Sequence, residues 1–253
     1  MADTDFKNSI RALGIDESHV FFDEPMSYHT TFKVGGPAEC YITPDEGECK
    51  SILAFAREND IPLWILGNGS NVLVSDKGLR GIVISVASPI SSIDIKDETI
   101  TTGAGAPLIR VSKLAAKAGL CGLSFAGGIP GSVGGAVVMN AGAYGGEIKD
   151  VLKSVSVLKS DGSLLELPAD ELSLSYRHSL FMEEGHERDI ILSAVFNLLH
   201  GDSKEIEAEM KDEILGYVGQ ITRINTDPIT GLFEGGYIPV VATVGCDRQG
   251  NVY

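Results

Sequence analysis

Residues 126–136 read Ala126-Gly127-Gly128-Ile129-Pro130-Gly131-Ser132-Val133-Gly134-Gly135-Ala136, and after three intervening residues comes Asn140-Ala141-Gly142-Ala143-Tyr144-Gly145-Gly146. Glycine at this density describes a loop in which backbone N–H groups can converge, since no Cβ limits φ or holds a ligand away. Ser132 stands where a helix N-cap is wanted, so the loop is predicted to open a helix. An earlier cluster, Gly67-Asn68-Gly69-Ser70-Asn71, follows the apolar run Leu63-Trp64-Ile65-Leu66, which reads as a buried strand. Two loops without bulky side chains, each a nest of N–H donors, suit the two phosphates of a dinucleotide. Tight turns and close packing are the plainer use of such clusters, and Gly35-Gly36 fits that use. The Rossmann fingerprint is missing, because Val72 stands where a third glycine belongs, and the Gly-Lys pair of a P-loop never occurs. The residues describe a nucleotide site of another kind, or none.

Around these loops the pattern alternates. Residues 47–59 carry apolar positions at helical spacing, 81–86 read as a strand, 92–102 alternate like a strand, and 108–118 read as a helix ended by Gly119. Strands follow near 151–159 and 190–198, with a turn at Asp161-Gly162. Helix and strand both occur in quantity, so the chain is α/β or α+β.

Composition sets the frame. The chain has 253 residues, 43% of them hydrophobic, which is ordinary for a globular protein with a core. Glycine, at 30 residues, is in excess of the ~7% of average usage. The net charge of −15 disfavours a broad nucleic-acid or anionic-membrane surface, and no apolar run approaches a membrane span. No nucleic-acid or membrane partner is therefore expected, while a local anion site built from backbone amides stays open; the oligomeric state is not encoded in any motif. Cys40, Cys49, Cys121 and Cys246 form no CxxC or zinc spacing, and five scattered histidines form no HExxH, so no metal site is expected. With no signal peptide recognisable, the cysteines read as reduced thiols of a cytoplasmic protein.

The chain resembles the UDP-N-acetylenolpyruvoylglucosamine reductase family. His29-Thr30-Thr31-Phe32-Lys33-Val34-Gly35-Gly36-Pro37-Ala38 resembles its opening motif, Gly67–Asn71 its first flavin loop, and Gly128–Ala136 with Met139–Gly145 its central signature. Tyr176-Arg177-His178-Ser179 resembles its Tyr-Arg-x-Ser motif. The resemblance implies an α+β, two-lobed FAD-binding fold of the vanillyl-alcohol-oxidase (PCMH) type. It implies FAD held by Gly67, Asn68, Gly69, Ser70 and Asn71 on one side. On the other it implies Gly128, Ile129, Pro130, Gly131, Ser132, Gly134, Gly135, Asn140 and Gly142. The implied reaction is NADPH- and FAD-dependent reduction of UDP-N-acetylglucosamine enolpyruvate to UDP-N-acetylmuramate, in peptidoglycan precursor synthesis. Arg177 matches the family's active-site arginine, a planar and permanent cation suited to the enolpyruvyl carboxylate; Tyr176 is a second substrate contact or a core tyrosine.

The resemblance also implies two catalytic groups without a counterpart here. The family's serine proton donor belongs to a Ser-Ala-Gly-Ser-x-Phe motif, and no serine follows Ser203; no glutamate near the end carries a family motif. On this reading the chain lacks the family's C-terminal substrate domain. From about Leu215 the residues instead resemble an internal stretch of N-acetylglutamate kinases, through Gly236-Tyr237-Ile238-Pro239-Val240-Val241-Ala242 and Gly250-Asn251-Val252-Tyr253. The expected organisation is an N-terminal extension over 1–24, an FAD-binding unit over 25–210 and a foreign tail over 211–253. The expected activity is that of the reductase, impaired; the alternative is a catalytically incomplete flavin-binding remnant or a chimeric gene product.

Overall fold

The computed structural model describes residues 3–87 and 90–215. The chain parts into two units, Met1–Glu213 and Ile214–Tyr253, and the first is described here. The kinase-like stretch lies outside the described residues beyond Leu215.

The first lobe begins with α1 (Asp3–Arg11) and β1 (Val20–Pro25), followed by β2 (Pro37–Ile42), α2 (Glu46–Glu58), β3 (Leu63–Leu66) and β4 (Leu79–Ser85). Its sheet has the order β1-β2-β4-β3, antiparallel at β1–β2 and parallel elsewhere. A capping box starts α2: Glu48 N donates to Asp45 Oδ1 at 2.8 Å, and Asp45 N donates to Glu48 Oε2 at 2.9 Å. Cys49, Ile52, Leu53 and Ala56 form the helix's buried stripe against Cys40, Ile42, Ile82 and Ile84 of the sheet. Residues 1–24, set apart by sequence as an extension, are not separate from this lobe. Phe6 and Ile10, one helical turn apart on α1, and Ile15 enter the same core. Burying such side chains stabilises by about 1.5–3 kcal/mol each, enough to tie the N-terminal segment down.

The second lobe holds β5 (Ile93–Lys96), β6 (Thr99–Gly103), α3 (Leu108–Lys117), β7 (Leu120–Cys121), α4 (Val133–Val138), β8 (Gly142–Ala143) and β9 (Gly146–Glu147). Then come β10 (Leu152–Leu158), β11 (Leu164–Pro168), β12 (Ile190–Asn197), β13 (Leu199–His200) and α5 (Ser203–Leu215). Five strands form an antiparallel sheet of order β11-β10-β12-β6-β5. Helices α3 and α4 cover one face, with Leu108, Val111, Val133 and Val137 packed on Ile100, Val155, Val157 and Phe196. Leu158, Ile190 and Leu192 join the first lobe's core instead, so β10 and β12 tie the lobes together.

Two expectations are corrected. The alternating stretch 92–102 is a hairpin rather than one strand, because Asp97 takes φ +51° and reverses the chain between β5 and β6; Asp tolerates that region better than most residues. The run Leu63–Leu66 is a strand but an edge one, and only Leu66 is buried; Trp64 is 47% exposed. Among the described residues, no helix is long and apolar enough to cross a membrane.

Candidate functional site

Strand β3 ends at Leu66 and delivers Gly67–Asn71 into a cleft of about 830 Å³ between the lobes. The opposite wall is the segment Ile129–Ala136, fixed by backbone bonds from Val133 N to Ala106 O at 2.9 Å and from Gly134 N to Ala104 O at 2.7 Å. The helix predicted at Ser132 is α4, with Ser132 as its N-cap accepting from Gly135 N at 3.3 Å. The two loops touch. Ser70 Oγ donates to Pro130 O at 3.1 Å, and a Cβ on Gly67 would collide with Ser132 Oγ. Gly69 has φ +63°, and a Cβ there would overlap the His29 carbonyl. Its own carbonyl accepts from Thr31 N at 3.0 Å. Close approach requires both glycines, and at Gly69 the left-handed backbone requires one as well.

These contacts use carbonyls and side chains. Among the described residues, the N–H groups of Gly67, Asn68, Gly69, Ser70 and Asn71, and those of Gly131 and Ser132, are not engaged by other protein groups. A cleft lined from two sides by free amides, with no Cβ at the closest approach, fits the diphosphate of a dinucleotide. FAD therefore fits the residues present. A shallower hollow of about 310 Å³ is also lined by Gly67 and Asn68. There the His29 ring stacks on Tyr41 at 4.0 Å and shares a 2.8 Å hydrogen bond with Glu24.

Arg177 reaches the same cleft from a different element. Ser175 and His178 exchange backbone hydrogen bonds, each 3.1 Å, around a two-residue turn with Tyr176 and Arg177 at its tip. Arg177 has φ +55°, and its Nη2 donates to Gly142 O at 3.1 Å. Tyr176 does not line the cleft. It is 81% exposed, with the Arg177 guanidinium 5.7 Å from its ring centre, so it is not a core tyrosine.

Three more residues expected at the cofactor lie off the cleft. Gly128 ends the short turn before the second loop. Gly142 is met by Arg177 through its carbonyl. Asn140 is 2% exposed with its amide turned inward. Its Nδ2 donates to Glu147 Oε2 at 2.7 Å and to Ser175 O at 2.8 Å, and its Oδ1 accepts from Lys149 N at 2.9 Å. The Lys149 ammonium first, then the Asn140 amide and the Arg177 charge, hold the Glu147 carboxyl below the usual carboxylate range.

The cleft also has walls that the sequence reading missed: Trp64, Phe181, Glu187, Asp189 and Ile191. The Asp189 side chain is fully buried, accepting from Lys159 Nζ and from Ser160 N, the latter at 2.9 Å, with His186 Nδ1 at 2.9 Å. These residues come together only through the packing of β10, β12 and β3, and no local motif marks them. Among the described residues, no three His, Cys, Asp or Glu side chains are placed to hold a metal.

Comparison with known proteins agrees with this geometry. Residues 38–168 match the family model of the FAD binding domain. The UDP-N-acetylenolpyruvoylglucosamine reductase of Agathobacter rectalis is 47% identical over 221 residues, covering 82% of this chain and 67% of that protein. The crystal structure of UDP-N-acetylenolpyruvylglucosamine reductase from Thermus caldophilus superposes with a TM-score of 0.67 at 31% identity, over 92% of this chain and 86% of that one. A solved alkyldihydroxyacetonephosphate synthase shares the fold, with a TM-score of 0.55 at 18% identity over 78% of this chain and 40% of that one. Two lobes, paired glycine loops and an arginine on one cleft thus form the FAD-binding fold of the vanillyl-alcohol-oxidase type, and the chain belongs to the UDP-N-acetylenolpyruvoylglucosamine reductase family of FAD-dependent oxidoreductases.

Proposed function

We propose that the chain carries the flavin half of the NADPH-dependent reduction of UDP-N-acetylglucosamine enolpyruvate to UDP-N-acetylmuramate, a cytoplasmic step of peptidoglycan precursor synthesis. The observation that carries this reading is the meeting of both glycine loops and Arg177 on one cleft. The free amides of Gly67–Asn71, Gly131 and Ser132 hold the FAD diphosphate, and the bare backbone at Gly67 and Gly69 lets it approach. Bound FAD supplies hydride transfer from NADPH to the substrate double bond. Arg177 pairs with the enolpyruvyl carboxylate and stabilises the negative charge that grows beside it as the double bond is reduced. Tyr176, beneath the guanidinium, offers its ring face to that cation.

Completion of the reaction needs a proton donor, and these 253 residues contain no counterpart of the family's serine or glutamate motif. General acid catalysis contributes roughly 10²–10⁴-fold, so a polypeptide of these residues is expected to bind FAD and to turn over slowly. The test is NADPH oxidation by the purified, FAD-loaded chain, with and without UDP-N-acetylglucosamine enolpyruvate. Flavin uptake with weak substrate dependence supports the reading. Rapid substrate-dependent turnover contradicts the impairment, and failure to take up FAD contradicts the whole reading.

A further inference from the structure

Arg177 sits in a conformation its residue type disfavours. The Ser175–His178 turn needs positive φ at its second central position, a place usually given to glycine, yet Arg177 holds φ +55° there. Such strain persists where the surroundings over-determine it. The hairpin of β8 and β9 is equally demanding, with Tyr144 at φ +52° and Gly145 at φ +87°. Arg177 spans from one turn to the other through its bond to Gly142 O.

Asn140 links the same two turns from below. Its Nδ2 hydrogens are divided between Ser175 O, which opens the arginine turn, and Glu147 Oε2 on β9; its Oδ1 accepts from Lys149 N just beyond β9. The amide is buried, both of its donor hydrogens are committed and Asn140 does not line the cleft, so it is not available to a bound cofactor. Ser179 Oγ, donating to Val138 O at 2.6 Å, anchors the far side of the turn. We propose that Asn140 is a positioning residue, whose side-chain amide locks the β8–β9 hairpin to the Ser175–His178 turn and so aims Arg177 into the cleft. The proposal rests on Arg177 facing the cofactor and substrate as described above.

The test is the reduction potential of FAD bound to the full chain, compared among the unsubstituted protein, Arg177→Ala, Asn140→Ser and the double variant. A cation beside the flavin favours its anionic reduced form, so Arg177→Ala is expected to lower the potential. Asn140→Ser is expected to lower it by most of the same shift with FAD affinity retained, and the double variant to shift no further. A potential unchanged by Asn140→Ser while Arg177→Ala lowers it overturns the proposal alone. So do additive shifts, or a loss of FAD affinity confined to Asn140→Ser. No shift in Arg177→Ala overturns the reading of Arg177 and the proposal with it. Should Asn140→Ser fail to fold, the charge-neutral pair Asn140→Asp with Glu147→Gln decides in the same way. It exchanges donor and acceptor between positions 140 and 147 at constant net charge and replaces the donation to Ser175 O by an opposing oxygen. Because it also breaks the Glu147–Lys149 ion pair, Lys149→Ala alone is the control and is expected to leave the potential unchanged.

Discussion

Gly67 and Ser132 meet across the cleft so closely that a Cβ on the glycine would collide with the serine Oγ. This is where the two flavin loops, 65 positions apart (132 less 67), close on one another. Gly67→Ala is expected to force the loops apart and weaken FAD binding at least about tenfold, the cost of one misplaced charge-assisted hydrogen bond. Adding Ser132→Ala removes the colliding oxygen and leaves Ser132 Cβ 3.3 Å away, tight but tolerable. The double variant should recover most of the lost affinity in an FAD titration. If Gly67→Ala alone binds as tightly as the unsubstituted chain, the loops do not form a closed cradle.

The backbone of Arg177 gives a separable prediction. Left-handed backbone costs a residue bearing a Cβ about 1–2 kcal/mol, and glycine escapes this. Arg177→Gly and Arg177→Ala both remove the guanidinium, but only the first relieves the turn. Arg177→Gly should therefore be more stable than Arg177→Ala by about 1 kcal/mol in denaturant unfolding, while both lose catalysis. Equal stability would mean that the turn reorganises when the arginine is lost.

Burial pushes the thiols of Cys40 and Cys49 up to about 12. Only the thiolate reacts with disulfide reagents. Both should be silent toward such a reagent in the native protein at pH 8 and reactive after unfolding. Measured by mass spectrometry of labelled peptides, rapid native labelling of either would contradict the packing of α2 on β2.

His19 and Glu48 meet at 3.0 Å. The hydrogen bond to Glu48 raises the His19 pKa, and burial opposes it in part. Burial would push the Glu48 carboxyl up, but N–H donation from Asp16 and Asp45, with His19, holds it below its ordinary value. A raised imidazole stabilises the fold fully below its unfolded pKa of about 6.5 and loses that contribution as pH rises through the folded value. His19→Ala should thus destabilise more at pH 5.5 than at pH 8.5, by less than about 1 kcal/mol for a solvent-screened pair at the surface. The opposite order in thermal melts would refute the pairing.

What the sequence disclosed was backbone chemistry. The loops at Gly67–Asn71 and Gly128–Gly135 are legible because a glycine records a missing Cβ directly, and Ser132 records its cap. Arg177 was legible only through its motif. The functional meaning of Asn140 was not, since its partners Glu147, Lys149 and Ser175 reach it through two turns folded onto one another. Trp64 read as a core residue because Leu63–Leu66 is apolar throughout; β3 is instead an edge strand, and the indole is half-exposed in the cleft wall, its Nε1 donating to Arg80 O at 2.9 Å. Asp97 hid a hairpin inside an alternating pattern, because a single aspartate at positive φ is a weak turn signal beside glycine.

Trp64 is the chain's one tryptophan and lies in the wall of the cleft. A flavin bound there must come within quenching range of its indole. The most direct measurement is a titration of the flavin-free chain with FAD, following tryptophan fluorescence together with visible flavin absorbance after gel filtration. A yellow protein carrying one FAD per chain, with Trp64 fluorescence quenched in proportion to occupancy and at least about tenfold more FAD needed for both changes in Gly67→Ala, is the predicted result. A colourless chain that retains no FAD, or one that binds it with Trp64 fluorescence unchanged, would contradict the placement of the flavin in this cleft.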